Sequence, residues 1–492
     1  MRRLCRAVSL ASLGVGASLY LPPPYHWISA TTGTGLGLLQ FFEKKKRKVI
    51  LRIGSLTWTR EEFCRHFLIT GDTGSGKTTS GLNPILVQIT QNVPDWGGLV
   101  LGSKGTEHHF IRELLTHHGR ATDHVHLATK PADASTKWKP THRYNLLSDR
   151  SLSWTTHAKI ISDIVASLTE GKQHAFFRPM AQLALANAFE LLDALGKKVT
   201  ITRAYELLTT PKAALSAIKE LQSRDPSEKE RELIDFFETT FTGTQSHEQR
   251  DGVIGTLQTQ LGFLIHPDLA QVFSSDEPNT TSFSALERGT IFTVGMPQAL
   301  ATERRYLQTY LKILFYLHVL RRFDKTAEQR QRDNLLLLVG DEFQDLCTAS
   351  EDGFSDHKAA DRIREAGACI IAGMQSEISA DPILGEKKRK VLTLNLRSRL
   401  IFTAAENEGA TLSANFIGKK RIWKRTISSK AFGARTTSRR QEQEFKIHPT
   451  KLESLDAHQA VVVHPGKRFL KCRLPPKDSK GETPRWFDCI IK

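Results

Sequence analysis

Three things are scarce in this 492-residue chain, and each scarcity excludes something. Its six cysteines, Cys5, Cys64, Cys347, Cys369, Cys472 and Cys489, form neither a C-x-x-C pair nor a regular framework. A disulfide scaffold is therefore excluded, and a reducing, cytosolic setting is expected for the bulk of the chain. Apolar runs as long as the roughly 20 residues of a full membrane span are missing too. Acidic residues are short at both ends: residues 1–52 carry nine Lys/Arg against one Glu, and residues 383–492 carry 25 against 10. The net charge of +17 thus sits at the termini, which are the places to look for anionic partners. With 39% hydrophobic residues the chain is not generally disordered, and its length allows two or three domains.

What is present begins with FLITGDTGSGKTTSG at 67–81. Gly71, Asp72, Thr73, Gly74, Ser75, Gly76, Lys77 and Thr78 satisfy G-x-x-x-x-G-K-[ST] after a short apolar strand, the context of a phosphate-binding loop. Glycines are needed because consecutive N–H groups must turn inward around phosphate oxygens. Lys77 adds a charge near the β and γ phosphates, Thr78 offers a hydroxyl to Mg²⁺, and the helix opening through Thr79 presents its positive end. ATP and Mg²⁺ are the expected cofactors. LLLLVGDE at 335–342 reads as a strand buried on both faces that ends in two acids. Asp341 would hold the metal through water and Glu342 would activate the attacking water. Gln375, after the strand ACIIAG, would emerge beside that strand and could sense the γ-phosphate.

Strand-like runs at 67–70, 98–102, 124–127, 290–295, 335–339, 368–373 and 399–404 alternate with helical stretches, which predicts a mostly parallel α/β sheet. From 155 to 262 the pattern is helical, as in Ala181, Leu185, Ala188, Leu192 and Leu195 closing on Gly196. This predicts an all-α domain inserted between two parts of the nucleotide-binding domain, 49–154 and 263–426. Residues 427–492 form a basic C-terminal segment, less ordered to about Gln443 and then a closing hairpin turning at Pro465 and Gly466.

Residues 7–21 and 26–42 are two weakly apolar segments flanked by Arg2, Arg3 and Arg6 before and Lys44 to Lys48 after, with no charge between. Positive flanks at both ends predict a transmembrane helical hairpin over 1–48, both termini in the cytoplasm. A signal peptide is the competing reading, but export would carry the nucleotide site away from ATP. EKKRK at 386–390 (Lys387, Lys388, Arg389, Lys390) is expected on a loop. KKRIWKR at 419–425 places Lys419, Lys420, Arg421, Lys424 and Arg425 around Trp423. Such runs bind phosphates, and the tryptophan can stack on an unpaired base, so DNA is the expected partner, single-stranded DNA favoured. His108/His109 and His117/His118 have no metal-type partners in sequence and read as structural.

Together HFLITGDTGSGKTTSGLNPIL, LVLGSKGTEHHF, RYNLLSD, SFSALERGTIFTVGMP, GDEFQDL, IREAGACIIAGMQS and LNLRSRLIFTA resemble the coupling ATPases of bacterial type IV secretion and conjugation, within the FtsK/HerA group. The resemblance covers most of the chain. It implies a RecA-like P-loop NTPase in a hexameric ring, with ATP between subunits and DNA in a basic pore. The ring would be anchored in the inner membrane, its ATPase domain cytoplasmic, and served by a relaxase or other secretion components. It also implies an arginine acting on the neighbour's nucleotide; Arg364 matches that position best, with Arg362 nearby. One departure stands out: the family's D-x-K-G-E reads here Gly102, Ser103, Lys104, Gly105, Thr106, without the aspartate. A DNA translocase unconnected to secretion, or a docking platform that hardly hydrolyses ATP, are the alternative functions.

Overall fold

The computed structural model describes residues 48–487 except 132–133, 136, 169–177, 243–246, 350–353 and 429–435. The expected membrane hairpin lies outside these residues. Among the described residues no helix is long and apolar enough to cross a membrane.

The described residues form thirteen strands: β1 Val49–Ile53, β2 Leu56–Thr59, β3 Phe67–Thr70, β4 Gly97–Gly102, β5 His124–Ala128, β6 Ile291–Gly295, β7 Leu336–Asp341, β8 Ala368–Met374, β9 Ser398–Ile401, β10 Lys419–Ser428, β11 Thr436–Phe445, β12 Gln459–Val463 and β13 Phe469–Arg473. Nine of them make one sheet in the order β13-β12-β9-β3-β8-β7-β4-β6-β5. From β9 to β5 all pairs are parallel, while β12 joins β9 antiparallel and β13 closes the edge as a hairpin. All seven runs expected as strands are strands of this sheet.

The sheet is covered on both faces, and the period-2 alternation of its strands shows how. Leu68, Leu99, Leu101, Leu336, Leu338 and Ile370 point into one core. Phe67, Ile69, Val100, Leu337, Val339 and Ile371 point into the other. Between β5 and β6 the described residues form helices and no strand, from Trp154–Leu168 to Pro267–Phe273. Their apolar faces, including Ile161, Leu185, Phe189 and Phe237, join the first of these cores. Helix Arg178–Ala194 ends as its sequence predicts, with Gly196 at φ 68° in the left-handed conformation that a Cβ disfavours.

Two expectations are corrected. EKKRK is not a loop: it lies in helix Asp381–Asn395, where Arg389 is only 2% exposed and its Nε donates to Asp381 at 2.7 Å. Burial and this ion pair remove Arg389 from the DNA-contact set. The described residues on either side of 429–435 form a long antiparallel ribbon, β10 against β11, pairing Lys419 with Phe445 through to Ser428 with Thr436. Its polar composition masked the alternation, because only Phe445 at its end packs on a core, and the expected boundary after residue 426 falls inside β10.

Candidate nucleotide site

Because β3, β8, β7 and β4 run parallel, their carboxyl ends lie together, where an open α/β sheet holds its ligand. The phosphate-loop sequence leaves β3 at this edge. Gly71 donates its N–H to the Gln375 carbonyl at 3.1 Å, and Asp72 donates to the Thr403 carbonyl at 2.7 Å, so the loop is held by the segments leaving β8 and β9. Gly74 and Gly76 have φ of 79° and 104°, which a side chain would strain. The Lys77 ammonium folds over the loop onto the carbonyls of Gly71 and Asp72, at 2.8 and 3.2 Å.

The acidic strand end meets the loop directly. Thr78 donates its hydroxyl to Asp341 Oδ2 at 3.0 Å across 263 residues of sequence. Asp341 is flanked in register by Gly102 on β4, and a Cβ on Gly373 of β8 would come within 3.0 Å of its Oδ1. Gly373 thus admits the carboxylate on the β8 side, while on the β4 side the Glu107 carboxyl fills the space that a Cβ on Gly102 would take. Glu342 follows in the left-handed region at φ 56°, and its Oε2 accepts from Gln344 Nε2 at 2.7 Å. A cavity of about 240 Å³ opens here, lined by Ser103, Arg304, Arg305, Gln308, Asp341, Glu342 and Asp345 among others. Burial pushes the carboxyl of Asp345 up. Burial also pushes up Glu107, with the charge of Asp341 adding to it.

Gln375 is exposed directly after β8, beside the loop its carbonyl anchors. Arg364 is elsewhere. It ends helix Asp356–Glu365 at the amino end of β8, paired with Asp361 at 3.2 Å. A seven-residue strand separates it by about 20 Å from the carboxyl edge, so it does not reach its own subunit's loop.

Some site residues escaped the sequence reading. Arg304, Gln308 and Lys312 form a buried polar stripe at i, i+4, i+8 on helix Ala301–Leu320, and that spacing is the signal that could have found them. Gln308 donates to the Gly102 carbonyl at 2.9 Å. His458 donates its N–H to the Ser75 carbonyl at 2.9 Å, and its Nδ1 lies 2.7 Å from Ser80 Oγ. The C-terminal segment thus braces the phosphate loop, and no local pattern around a lone histidine signals it. The His108 ring packs within a cluster of histidines: it stacks on His126 at 4.0 Å and lies 3.9 Å from His109. Thr293 Oγ1 sits 2.8 Å from His124 Nε2 and 3.0 Å from His126 Nδ1. Burial holds these imidazoles neutral, His108 and His124 at about 4 and His126 at about 3. Among the described residues no group of three or more such side chains could hold a metal ion.

A strand–loop–helix whose lysine folds over the loop and whose threonine bonds an acid two strands away defines a P-loop NTPase fold. Residues 50–475 match the family model described as the type IV secretion-system coupling protein DNA-binding domain, and the chain belongs to that family. Comparison with curated protein sequences finds no match. Among solved structures, the fold is similar to the bacterial conjugative coupling protein TrwBdeltaN70 in an unbound monoclinic form, with TM-score 0.63, 18% identity and coverage of 92% of this chain and 93% of that one. It is similar to the plasmid coupling protein TrwB in complex with ADP and Mg²⁺, with TM-score 0.62, 16% identity and coverage of 92% and 94%. VirB4 of Thermoanaerobacter pseudethanolicus is a more distant match, with TM-score 0.50, 12% identity and coverage of 86% and 90%. At these identities the likeness concerns the fold.

Proposed function

We propose that the chain is a membrane-anchored, ring-forming ATPase that couples ATP hydrolysis to the passage of DNA, or of DNA-linked protein, through a type IV secretion channel. The observation that carries this reading is the Thr78–Asp341 hydrogen bond at the mouth of the phosphate loop. The donor set fits a hard cation: one hydroxyl and one carboxylate, at the wall of a cavity that can hold the waters Mg²⁺ keeps. Mg²⁺ held there would neutralise charge on the β and γ phosphates. Lys77 leaves its carbonyl partners for the phosphates, Glu342 takes the proton of the attacking water, and Gln375 reports the γ-phosphate to the loop through its carbonyl.

Residues 1–48 are the anchor in the bacterial inner membrane, and residues 155–262 are the inserted all-α domain of a nucleotide-binding domain spanning 49–154 and 263–426. The family to which the chain belongs is described as DNA-binding, which supports a nucleic-acid partner. On the β10–β11 ribbon the two faces differ. Lys420 and Lys424 point to the face that carries Glu444 and Glu442, at 3.9 and 2.8 Å. Arg421, Trp423 and Arg425 alternate onto the other face, opposite Gln443, Gln441 and Arg439. That face carries no acid and an indole that is 70% exposed, which suits an unpaired strand.

In a hexamer, Arg364 would act on the neighbour's nucleotide. Mixing inactive Lys77→Ala chains with inactive Arg364→Ala chains tests this, because an interface joining the intact loop of one to the intact arginine of the other is complete. Recovery toward a quarter of wild-type turnover supports the shared site. Mixtures as inactive as the parents refute it.

A further inference from the structure

The position opposite Asp341 on the neighbouring strand is a glycine, and the space its side chain would fill is taken. Gly102 pairs in register with Asp341, so a side chain at 102 would stand beside that of Asp341 on the same face of the sheet. A Cβ built on Gly102 would lie 2.1 Å from Cδ and 2.2 Å from Oε1 of Glu107. The Glu107 carboxyl therefore occupies the place where a short acidic side chain at 102 would begin. It reaches there from the first position of helix Glu107–His117, after a turn at Gly105 with φ 69°. A Cβ on Gly105 would meet the Met296 carbonyl at 2.6 Å, so that turn is held closely.

Glu107 Oε2 is buried and has no hydrogen-bond partner in the chain. Leaving a buried carboxylate oxygen unpaired is costly, and such an atom calls for an explanation. Backbone N–H groups of Lys104 and of Glu107 itself bond the carboxyl and Arg304 acts on its charge, yet Oε2 stays without a partner. The charge of Asp341 opposes that of Glu107, and two carboxylates near one another are an arrangement that a bound cation relieves.

We propose that Glu107 supplies, from the helix, the carboxylate that strand position 102 lacks, and acts with Thr78 and Asp341 as a positioning residue for the Mg²⁺ of the bound nucleotide. Its free oxygen accepts a hydrogen bond from a metal-bound water and so fixes the ion's orientation. The proposal rests on the nucleotide-site reading above.

Mn²⁺ in place of Mg²⁺ makes it testable on the full-length chain without turnover. Free Mn²⁺ is counted by electron paramagnetic resonance during titration in the presence of ATPγS. Variants are Glu107→Gln, Glu107→Ala, Gly102→Asp, and Gly102→Asp combined with Glu107→Ala. We expect Glu107→Gln and Glu107→Ala each to weaken nucleotide-dependent Mn²⁺ binding about tenfold. ATPγS binding in EDTA should stay unchanged. The double variant should regain most of the loss, while Gly102→Asp alone should fold poorly because its carboxyl meets Glu107. Glu107→Gln keeps the shape of the side chain, so a folded protein remains for the measurement. Wild-type Mn²⁺ affinity in both Glu107 variants, or a double variant no better than Glu107→Ala, would overturn the proposal. Absence of any nucleotide-dependent Mn²⁺ site in the wild type would instead overturn the nucleotide reading itself.

Discussion

Lys312 and Asp356 form an ion pair at 2.7 Å with both side chains wholly buried. Asp356 also accepts from Tyr316 Oη at 2.7 Å and from the Thr348 N–H at 2.7 Å. The cluster fastens helix Ala301–Leu320, which lines the cavity, to the segment after β7 and to the helix that carries Arg364. Removing one partner leaves a buried charge uncompensated. Asp356→Ala should therefore cost about 3 to 5 kcal/mol in urea unfolding, and Lys312→Met with Asp356→Leu should cost less than either single change. A loss under about 1 kcal/mol for Asp356→Ala would show the pair to be dispensable.

The histidine cluster gives stability a pH dependence whose sign is fixed. His108, His124 and His126 are pushed by burial from the ordinary 6.5 to about 4, about 4 and about 3. The unfolded chain thus takes up their protons first as pH falls. Stability is complete above about pH 6.5 and is lost on the way down toward pH 4. The thermal midpoint should drop by roughly 3 °C or more between pH 7 and pH 5, and His126→Gln should flatten that slope. An unchanged midpoint over this window would mean that the imidazoles titrate normally.

On the β10–β11 ribbon the two faces should respond differently. Trp423→Ala is expected to weaken single-stranded DNA binding about tenfold, with a smaller effect on duplex, since the indole would stack on unpaired bases. Arg421→Ala and Arg425→Ala should each lower the salt slope for single strands by about 0.7. Lys420→Ala, across from Glu444 at 3.9 Å, should change little. Equal losses for residues on both faces, read by fluorescence anisotropy at several salt concentrations, would count against a one-sided contact.

Asp341→Asn should preserve the fold, because the amide still accepts from Thr78, yet remove the charge that would face Mg²⁺. Turnover should fall by roughly a hundredfold while nucleotide binding without metal persists. Turnover within a factor of two of the parent would detach Asp341 from the metal.

The candidate nucleotide edge was legible because its parts are local. Gly71 to Thr78 are contiguous, and Asp341 and Glu342 end an unmistakable apolar strand, so both ends of the Thr78–Asp341 bond could be named before their meeting was known. The strands of the sheet were legible for the same reason, since buried parallel strands carry continuous apolar runs. The ribbon β10–β11 was missed because little of it but Phe445 packs on a core, leaving mainly a polar alternation to read. Arg389 was misplaced because a run of bases reads as surface, whereas its helix turns that one residue toward Asp381. His458 and Glu107 act on residues 378 positions away and on a glycine whose missing side chain leaves room, neither of which a linear pattern encodes.

ATP hydrolysis by the full-length chain, with and without single-stranded and duplex DNA, compared with Lys77→Ala and Glu342→Gln, is the most direct measurement. A DNA-driving ATPase predicts turnover that rises with DNA, single strands most, and neither variant responding while Glu342→Gln still binds ATP. Turnover indifferent to DNA, or a Glu342→Gln variant as active as the parent, would contradict it.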